Sequence, residues 1–156
     1  MAAASKSKYF ELVSGFYKSY AAMQNFQRTA AKCRVVDVAE GRVKVEMEVQ
    51  EEHTNTFGTL HGGLTATLVD IVTTTALCAT RRGSAGVSVD LTVNYLAPAK
   101  IGDTILIDAF VNRRGQTMGF TGADIFRKSD GLKIATALHT KAFPRRSVRS
   151  PGKVTE

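Results

Sequence analysis

The sequence predicts an α+β domain in which a curved antiparallel sheet wraps around one long central helix. Alternating apolar residues occupy most of the chain after residue 86, and hairpin-length connections join these stretches after residue 100. The helical stretch 64–80, in contrast, has almost no polar face. Because a helix that is apolar nearly all round must be covered by the rest of the molecule, the strands are expected to curl around it.

The individual elements follow from the spacing of apolar residues. Spacings of three and four predict an amino-terminal helix over about 7–28. Period-two alternation then predicts a hairpin over 33–50, with AEGR as its turn. One face of its second strand carries four apolar residues: Val43, Val45, Met47 and Val49. About four long strands are expected after the central helix, the last three as a meander.

The sequence predicts where the central helix ends and what stabilises its interior. Arg81, Arg82 and Gly83 form a typical carboxyl terminus, with cations in the last turn and glycine after it. The run 73–75 consists of three threonines, which are poor helix formers. Packing, and not intrinsic propensity, is therefore expected to stabilise this helix.

Length and charge limit the domain organisation and the partners. A chain of 156 residues suits one domain, expected over 1–143, followed by a basic and disordered tail over 144–156. The net charge of +7 favours an anionic partner. The charge is spread along the chain, so we expect no nucleic acid. No apolar stretch reaches the ~18 residues of a membrane span, so no stable membrane insertion is expected.

Cysteine content and the amino terminus bear on the location. Cys33 and Cys78 are too few for a disulfide framework or a zinc ligand set, which fits a reducing compartment. The first twenty residues are poor in acids and contain Lys and Ser, whereas Glu11 and the lack of arginine before Arg28 weaken a mitochondrial address. The expected location is cytoplasmic and/or mitochondrial.

The stretch HTNTFGTLHGG, residues 53–63, precedes the central helix and is a candidate site. At a helix start the first N–H groups lack intrahelical partners, so Gly62 and its neighbours could bind phosphate or stabilise an oxyanion. The stretch matches neither glycine-rich nucleotide-binding pattern. His53 and His61 lack the spacing and the companions of metal ligands, so no metal is expected, and His53 and His139 are assigned structural or solvent-exposed roles.

Asp70 is the only charged residue between His61 and Arg81. It is either a charge on an exposed stripe or a partly buried carboxylate that acts as base or nucleophile, and the residues alone favour neither. Gly62 and Asp70 lie ~12 Å apart along one helix. An oxyanion donor and a base must meet at one carbonyl, so a catalytic role for both requires a homodimer with shared sites.

Serine chemistry has weaker support in this sequence. There is no G-x-S-x-G motif, and Ser88 lies on an alternating strand. Ser88 is therefore assigned a supporting role, as a hydroxyl that orients water.

Two stretches carry a family resemblance: EEHTNTFGTLHGGLTATLVD and GVSVDLTVNYLAPAKIGD. With HGG, an aspartate eight residues after its first glycine, and S-V-D in that order, they resemble the hotdog-fold acyl-coenzyme A thioesterases over roughly 26–141. The resemblance implies hydrolysis of medium- to long-chain fatty acyl-CoA to free fatty acid and coenzyme A. It also implies homodimers that assemble into homotetramers, and no metal or redox cofactor, because coenzyme A is part of the substrate.

The resemblance also implies roles for individual residues. Asn55 and the Gly62 N–H would polarise the thioester carbonyl, and His61 would hold the turn. Asp70 of the partner subunit would activate water or attack directly, while Ser88 orients the water. The expected coenzyme A contacts are Asp90, Tyr95, Arg113, Arg114, Gly115, Gln116, Thr117 and Met118.

Three competing functions remain to be weighed. A non-catalytic acyl-CoA-binding protein would not need Asp70. A dehydratase acting on hydroxyacyl thioesters would use a histidine–acid pair, which a lone Asp70 on the helix does not supply. A nucleic-acid binder has only the net charge in its favour.

Overall fold

The computed structural model describes residues 8–144. These residues form helices α1 (Lys8–Tyr20) and α2 (Gly62–Cys78) and the short 3-10 helices Phe26–Ala30 and Glu51–His53. The strands are β1 (Arg34–Ala39), β2 (Arg42–Glu48), β3 (Val87–Tyr95), β4 (Thr104–Arg114), β5 (Met118–Arg127) and β6 (Lys133–Ala142).

All six strands belong to one antiparallel sheet, in the order β1-β2-β4-β5-β6-β3. The predicted meander is confirmed, because β4, β5 and β6 are consecutive neighbours joined by hairpins. β3 precedes the meander in the chain but pairs with β6 at its far side. β1 and β3 are therefore the two edges of the sheet.

Helix α2 lies against the inner face of the sheet and contacts β2, β3, β4, β5 and β6. Leu68, Val69 and Val72 on the helix are fully buried, as are Ile107 and Ile125 on the strands that face it. The predicted central helix is thus confirmed. Although apolar, α2 has 17 residues, and no helix within residues 8–144 combines the length and hydropathy that a membrane span requires.

The β1–β2 hairpin follows the predicted alternation. The four apolar residues of one face, Val43, Val45, Met47 and Val49, are all buried. Gly41 in the turn has φ +69°, a conformation that glycine adopts without steric cost. On the opposite face Glu46 pairs with Arg34 and Lys128, which neutralises a carboxylate that the sheet half encloses.

The amino-terminal helix is shorter than predicted. The expectation of a helix over about 7–28 is wrong beyond Tyr20, where α1 ends. The Asn25 side chain accepts a hydrogen bond from the Gln27 N–H at 3.1 Å and caps a separate 3-10 helix. Asparagine favours such caps over helix interiors, so the chain restarts there. Residue 7 and the predicted tail beyond Pro144 lie outside the described residues.

The carboxyl end of α2 also differs from the prediction. The helix ends at Cys78, and Ala79 leaves the helical conformation with ψ 32°. The Ala79 carbonyl accepts a hydrogen bond from the Gly41 N–H at 2.8 Å. The hydrogen bonding at the end of the helix therefore passes from α2 to the β1–β2 turn. Arg81 and Arg82 follow the helix and do not occupy its last turn.

Central packing predicts a large stability cost for truncation at Leu68. Leu68→Ala removes a fully buried side chain, and the cavity left behind should lower the free energy of unfolding by about 2–5 kcal/mol. Denaturant unfolding measures this loss. Leu132→Ala, at a side chain 44% exposed, is the matched control, and its effect should stay within about 0.5 kcal/mol. Equal losses in the two variants would contradict the central position of α2.

Candidate active site

The loop before α2 is closed by the side chain of Asn55. Its Oδ1 accepts hydrogen bonds from the N–H groups of Phe57 at 2.9 Å and Thr59 at 3.3 Å. Its Nδ2 donates to Thr59 Oγ1 at 3.0 Å. An isolated bridge between Thr54 and Leu60 ties the two sides of the loop together. The Asn55 amide has two N–H bonds, so one remains for a ligand after the bond to Thr59.

The first turn of α2 combines a histidine cap with an open glycine. His61 is the N-cap residue, and its Nδ1 accepts a hydrogen bond from the Gly63 N–H at 2.8 Å. Gly62 is the first helical residue, where an N–H has no partner within the helix. Tyr95 lies directly beside it: the Tyr95 hydroxyl donates to the Gly62 carbonyl at 2.8 Å. This end of α2 therefore offers a positively polarised N–H beside a tyrosine ring.

Asp70 lies two turns further along α2, on a half-exposed stripe of the helix. Buried polar side chains contact its carboxylate from the inner side. The Asp70 side chain is 45% exposed, whereas that of Lys141 is 5% exposed. Asp70 Oδ1 lies 3.5 Å from Lys141 Nζ and 3.4 Å from Thr74 Oγ1, a hydroxyl that donates to the Asp70 backbone carbonyl at 2.7 Å. Lys141 Nζ in turn donates to Thr74 Oγ1 at 2.6 Å. The carboxylate thus faces solvent on one side and an ammonium group on the other.

A second buried group, His139, connects Asp70 to Ser88. His139 Nε2 lies 2.9 Å from Ser88 Oγ and 3.8 Å from Asp70 Oδ1. Its Nδ1 lies 2.7 Å from Thr73 Oγ1, and that hydroxyl donates to the Val69 carbonyl at 2.7 Å. A hydroxyl has one proton to donate, so these contacts are satisfied when Nδ1–H donates to Thr73 and Nε2 accepts from Ser88.

Burial lowers the pKa of His139, and the charge of Lys141 lowers it further. Asp70 and Asp90 act in the opposite direction. The imidazole is fully buried, with no exposed side-chain surface. A neutral ring is consistent with the tautomer that the hydrogen bonds indicate.

Sequence reasoning assigned His139 a structural role and did not single out Lys141, yet both lie beside Asp70. The stretch LKIATALHTKAF contained a usable signal. Ala135 and Ala137 alternate with His139 and Lys141, and period-two alternation places all four on one face of β6. The buried alanines identify this as the inner face, so both polar residues point toward α2.

His53, the other histidine given a structural role, lies in the turn before α2 and is 5% exposed. Its Nδ1 accepts a hydrogen bond from the Gln50 N–H at 3.0 Å, and burial lowers its pKa. Within residues 8–144, no group of three or more His, Cys, Asp or Glu side chains is arranged to hold a metal ion.

The candidate residues form two separate groups within one protomer. One group contains Gly62 and Tyr95, and the other contains Asp70, Ser88 and His139. Ser88 and Tyr95 lie at opposite ends of β3, roughly 23 Å apart at ~3.3 Å per residue. A single copy of the chain therefore does not bring the helix-start N–H and the carboxylate to one reacting atom.

The hairpin between β4 and β5 carries the predicted coenzyme A contacts 113–118. It is closed by a hydrogen bond from the Gly115 N–H to the Met118 carbonyl at 2.8 Å. The Arg114 guanidinium stacks on the Phe143 ring at 3.3 Å, whereas Arg113 is exposed. Burial and the charge of Arg82 lower the pKa of Arg114. Arg82 and Arg114 are therefore close enough for their charges to interact beside this hairpin.

The other predicted contacts are accessible. Gln116 and Thr117 are exposed at the hairpin tip, and the Thr117 carbonyl accepts from the Phe143 N–H at 2.8 Å. Asp90 is exposed on β3, where it pairs with Thr140 of β6.

A cavity of about 780 Å³ opens beside the first turns of α2. The 3-10 helix Phe26–Ala30 forms one wall, and His61, Leu64 and Thr67 form the opposite wall. Its lining is mostly apolar, with Arg28 and Lys32 among the lining residues. A space of this size and character suits an apolar ligand with one polar end.

The fold agrees with a family match. Residues 57–134, half of the chain, match the thioesterase superfamily, and the chain belongs to that family. Human acyl-coenzyme A thioesterase 13 is 50% identical over 124 residues, which cover 80% of this chain and 89% of the human protein.

Solved structures support the same assignment. Zebra fish thioesterase superfamily member 2 has a TM-score of 0.84 and 43% identity, covering 86% of this chain and 97% of that chain. The Streptococcus mutans protein smu.793, bound to acetyl CoA, has a TM-score of 0.67 and 28% identity, covering 74% and 91%. The predicted hotdog fold is therefore confirmed.

The buried imidazole predicts a pH-dependent stability that His139→Gln should weaken. Below about pH 6.5 the unfolded chain binds a proton at this residue more readily than the folded chain, in which the pKa is lowered. The unfolded state then binds more protons, so the free energy of unfolding falls as the pH falls below that value. Denaturant unfolding between about pH 7 and pH 5 should show a smaller slope in His139→Gln.

The control for this prediction is Leu132→Ala, which changes an exposed side chain and no titratable group. Its slope between the same pH values should equal that of the parent. An unchanged slope in His139→Gln would contradict the buried neutral imidazole.

Proposed function

We propose that the protein is an acyl-CoA thioesterase that hydrolyses medium- to long-chain fatty acyl-CoA to free fatty acid and coenzyme A. The observation that carries the proposal is Asp70, a half-exposed carboxylate beside a Ser88–His139 pair in a chain of the thioesterase superfamily. A relative named acyl-coenzyme A thioesterase 13 and a structural neighbour bound to acetyl CoA support the substrate class.

In the proposed mechanism the start of α2 binds the electrophile. The Gly62 N–H and the free Asn55 N–H donate to the thioester oxygen and stabilise the negative charge that develops there. His61 acts on the turn, because its Nδ1 accepts from the Gly63 N–H at 2.8 Å and so fixes the neighbouring glycine.

The group around Asp70 supplies the nucleophile. Asp70 removes a proton from water, which Ser88 orients, and the water oxygen adds to the carbonyl carbon. The carbon–sulfur bond then breaks, and the coenzyme A thiolate leaves and takes up the proton. Direct attack by Asp70 through a mixed anhydride uses the same carboxylate, and water would then open the anhydride.

The proposed site is shared between two copies of the chain. Gly62 and Asp70 are ~12 Å apart along α2, so each must act with its counterpart from a second protomer. The edge strand β3 favours such a dimer, since Val87 and Val89 are 53% and 58% exposed there. An exposed apolar edge strand is a surface on which a second copy can pair.

Two dimers are proposed to form a homotetramer. The outer face of the sheet exposes Phe120 and Leu138, at 43% and 61%. Apolar side chains of this size on one sheet face are typical of an interaction surface.

Coenzyme A is proposed to bind along β3 and the β4–β5 hairpin. Arg113 and Arg114 would pair with its phosphates, and the backbone of 115–118 would contribute amide groups. Asp90 and Tyr95 would contact the rest of the molecule from β3. These residues are accessible along the same strand and hairpin.

The acyl chain is proposed to occupy the cavity beside α2. Its volume of about 780 Å³ and its apolar lining suit a flexible hydrocarbon, and His61 places the cavity next to the electrophile-binding turn. This position supports a preference for medium to long chains.

The proposal includes a cytoplasmic and/or mitochondrial location and no cofactor other than coenzyme A as part of the substrate. Cys33 and Cys78, the two cysteines of the chain, are free thiols, as expected for a reducing compartment. Nucleic acid is not part of the proposal.

One observation favours dehydration as a second candidate, namely the 3.8 Å separation of His139 and Asp70. The imidazole is fully buried and already contacts Ser88, however, so its ring nitrogens do not reach a substrate. An assay for hydration of an enoyl-CoA, measured as the loss of its absorbance, distinguishes dehydratase from thioesterase activity. Thiol release without hydration supports hydrolysis.

Asp70→Asn tests the proposed reaction. The substitution keeps the shape of the side chain and removes its charge, so kcat for thiol release should fall by about 100-fold to 10,000-fold. Thiol release from a series of acyl-CoA substrates measures the effect, and gel filtration with thermal melting confirms folding and assembly. Near-parental turnover in Asp70→Asn would refute the assigned role.

Mixing two impaired variants tests whether each active site is formed by two protomers. Asp70→Asn and Asn55→Ala protomers should each be weakly active alone. When they are unfolded and refolded together, about a quarter of the parental activity should return, because half of random dimers are hybrids with one complete site. Absence of any recovery, with hybrids demonstrated by mass spectrometry, would contradict sharing.

Thr29→Phe tests the position of the acyl chain. Thr29 lines the cavity, so added bulk should reduce the kcat/KM ratio of long-chain to acetyl substrates by about tenfold, the size expected for lost apolar burial of one or two methylenes. Gln24→Phe, on an exposed residue of the preceding turn, is the control and should leave the ratio unchanged. An equal ratio in both variants would place the acyl chain elsewhere.

A further inference from the structure

Lys141 is a buried lysine that the proposed mechanism does not use. Its side chain is 5% exposed, although lysine is among the residues least often buried. It lies on β6 between Ser88 of β3 and Gly119 of β5. Burying an ammonium group is costly unless acceptors surround it, so this position requires a compensating interaction.

The compensation comes from α2. Lys141 Nζ donates to Thr74 Oγ1 at 2.6 Å and lies 3.5 Å from Asp70 Oδ1. Thr74 Oγ1 in turn lies 3.4 Å from the same carboxylate oxygen. Lys141 therefore contacts the Asp70 side chain directly, by charge, and is fixed in place by the Thr74 hydroxyl, which donates its own proton to the Asp70 backbone carbonyl at 2.7 Å.

We infer that Lys141 is a positioning residue for Asp70, whose ammonium group takes the place beside the carboxylate so that His139 stays neutral. The inference rests on the proposed role of Asp70 as the catalytic base. Without the ammonium, the nearest basic group to the carboxylate is His139 Nε2, at 3.8 Å. A protonated His139 would pair with Asp70 in place of the ammonium, and its Nε2 would no longer accept a hydrogen bond from the Ser88 hydroxyl, which is proposed to orient the water.

Among the described residues, few charged or titratable groups lie around Lys141 and His139. Asp70 and Cys78 face these two side chains from α2, and the charge of Asp90 on β3 acts on His139. β5 contributes Gly119 and Thr121, which carry no charge. Lys141 is also a cause of the lowered pKa of His139, which agrees with a division of charge in which the lysine is the cation.

Lys141→Met tests the inference by two measurements. Titration of the histidine ring protons by NMR should show the His139 midpoint rising by about one pH unit, the effect of losing a nearby like charge. In the same variant kcat near pH 6 should fall about tenfold or more, with KM changed less than about threefold, because the orientation of the water by Ser88 is affected and substrate binding is not. Lys141→Arg should restore both quantities toward the parent.

Lys133→Met is the matched control. Lys133 lies on the same strand and pairs with Asp124 at 3.1 Å, but its side chain is 42% exposed. This variant should change neither the His139 titration nor kcat. Thermal melting and gel filtration establish that each variant is folded and assembled like the parent.

The outcomes separate the inference from the proposed function. An unchanged His139 midpoint in Lys141→Met overturns the inference, even if kcat falls, since the lysine would then act only through packing. Unchanged kcat with a shifted midpoint also overturns it. Normal turnover in Asp70→Asn overturns the proposed function instead, and the NMR titration still reports whether Lys141 controls His139.

Discussion

The burial of α2 is the constraint on which the rest of the structure depends. The helix is too apolar to lie in water, and the curved sheet covers it from β2 round to β3. Covering by one sheet leaves a single half-exposed stripe along the helix, which includes Thr67, Asp70, Thr74 and Cys78. The lone acid of the helix lies on this stripe, so the packing that buries the helix also determines where the carboxylate meets solvent.

The three consecutive threonines of α2 acquire a reason from the tertiary contacts. Threonine is a poor helix former, yet each of the three hydroxyls reaches a different group. Thr73 contacts His139, Thr74 accepts from Lys141, and the Thr75 hydroxyl lies 3.5 Å from that of Tyr17 on α1. The helix therefore gives up intrinsic propensity for polar contacts that join it to β6 and to α1. A helix of better formers would leave the His139 Nδ1–H without its acceptor on α2, and the Lys141 ammonium would keep only Asp70 there.

Prediction from sequence succeeded where the information was local. Apolar spacing identified the central helix, the β1–β2 hairpin and the meander, because each pattern reflects which side of one element is buried. It was less accurate at element ends. α1 stops at Tyr20 because Asn25 caps a new turn, and α2 stops at Cys78 because the Gly41 N–H binds the Ala79 carbonyl. The Asn25 cap lies close to the end of α1 in the sequence, whereas the Gly41 bond at the end of α2 involves a residue about forty positions away.

The candidate site divides in the same way. Helix geometry follows from chain distance alone, so the sequence was sufficient to predict the helix start at Gly62, the lone Asp70 and the ~12 Å between them, a distance that the proposed mechanism spans with a second copy. The positions of His139 and Lys141 next to Asp70, in contrast, follow from the tertiary structure and not from local sequence. The contacts from Thr73 to His139 and from Thr74 to Lys141 span 66 and 67 residues, and they exist because β6 pairs with β3 and β5 in one particular register. Strand register is a property of the assembled sheet, since a shift of one residue would turn both side chains away from the helix.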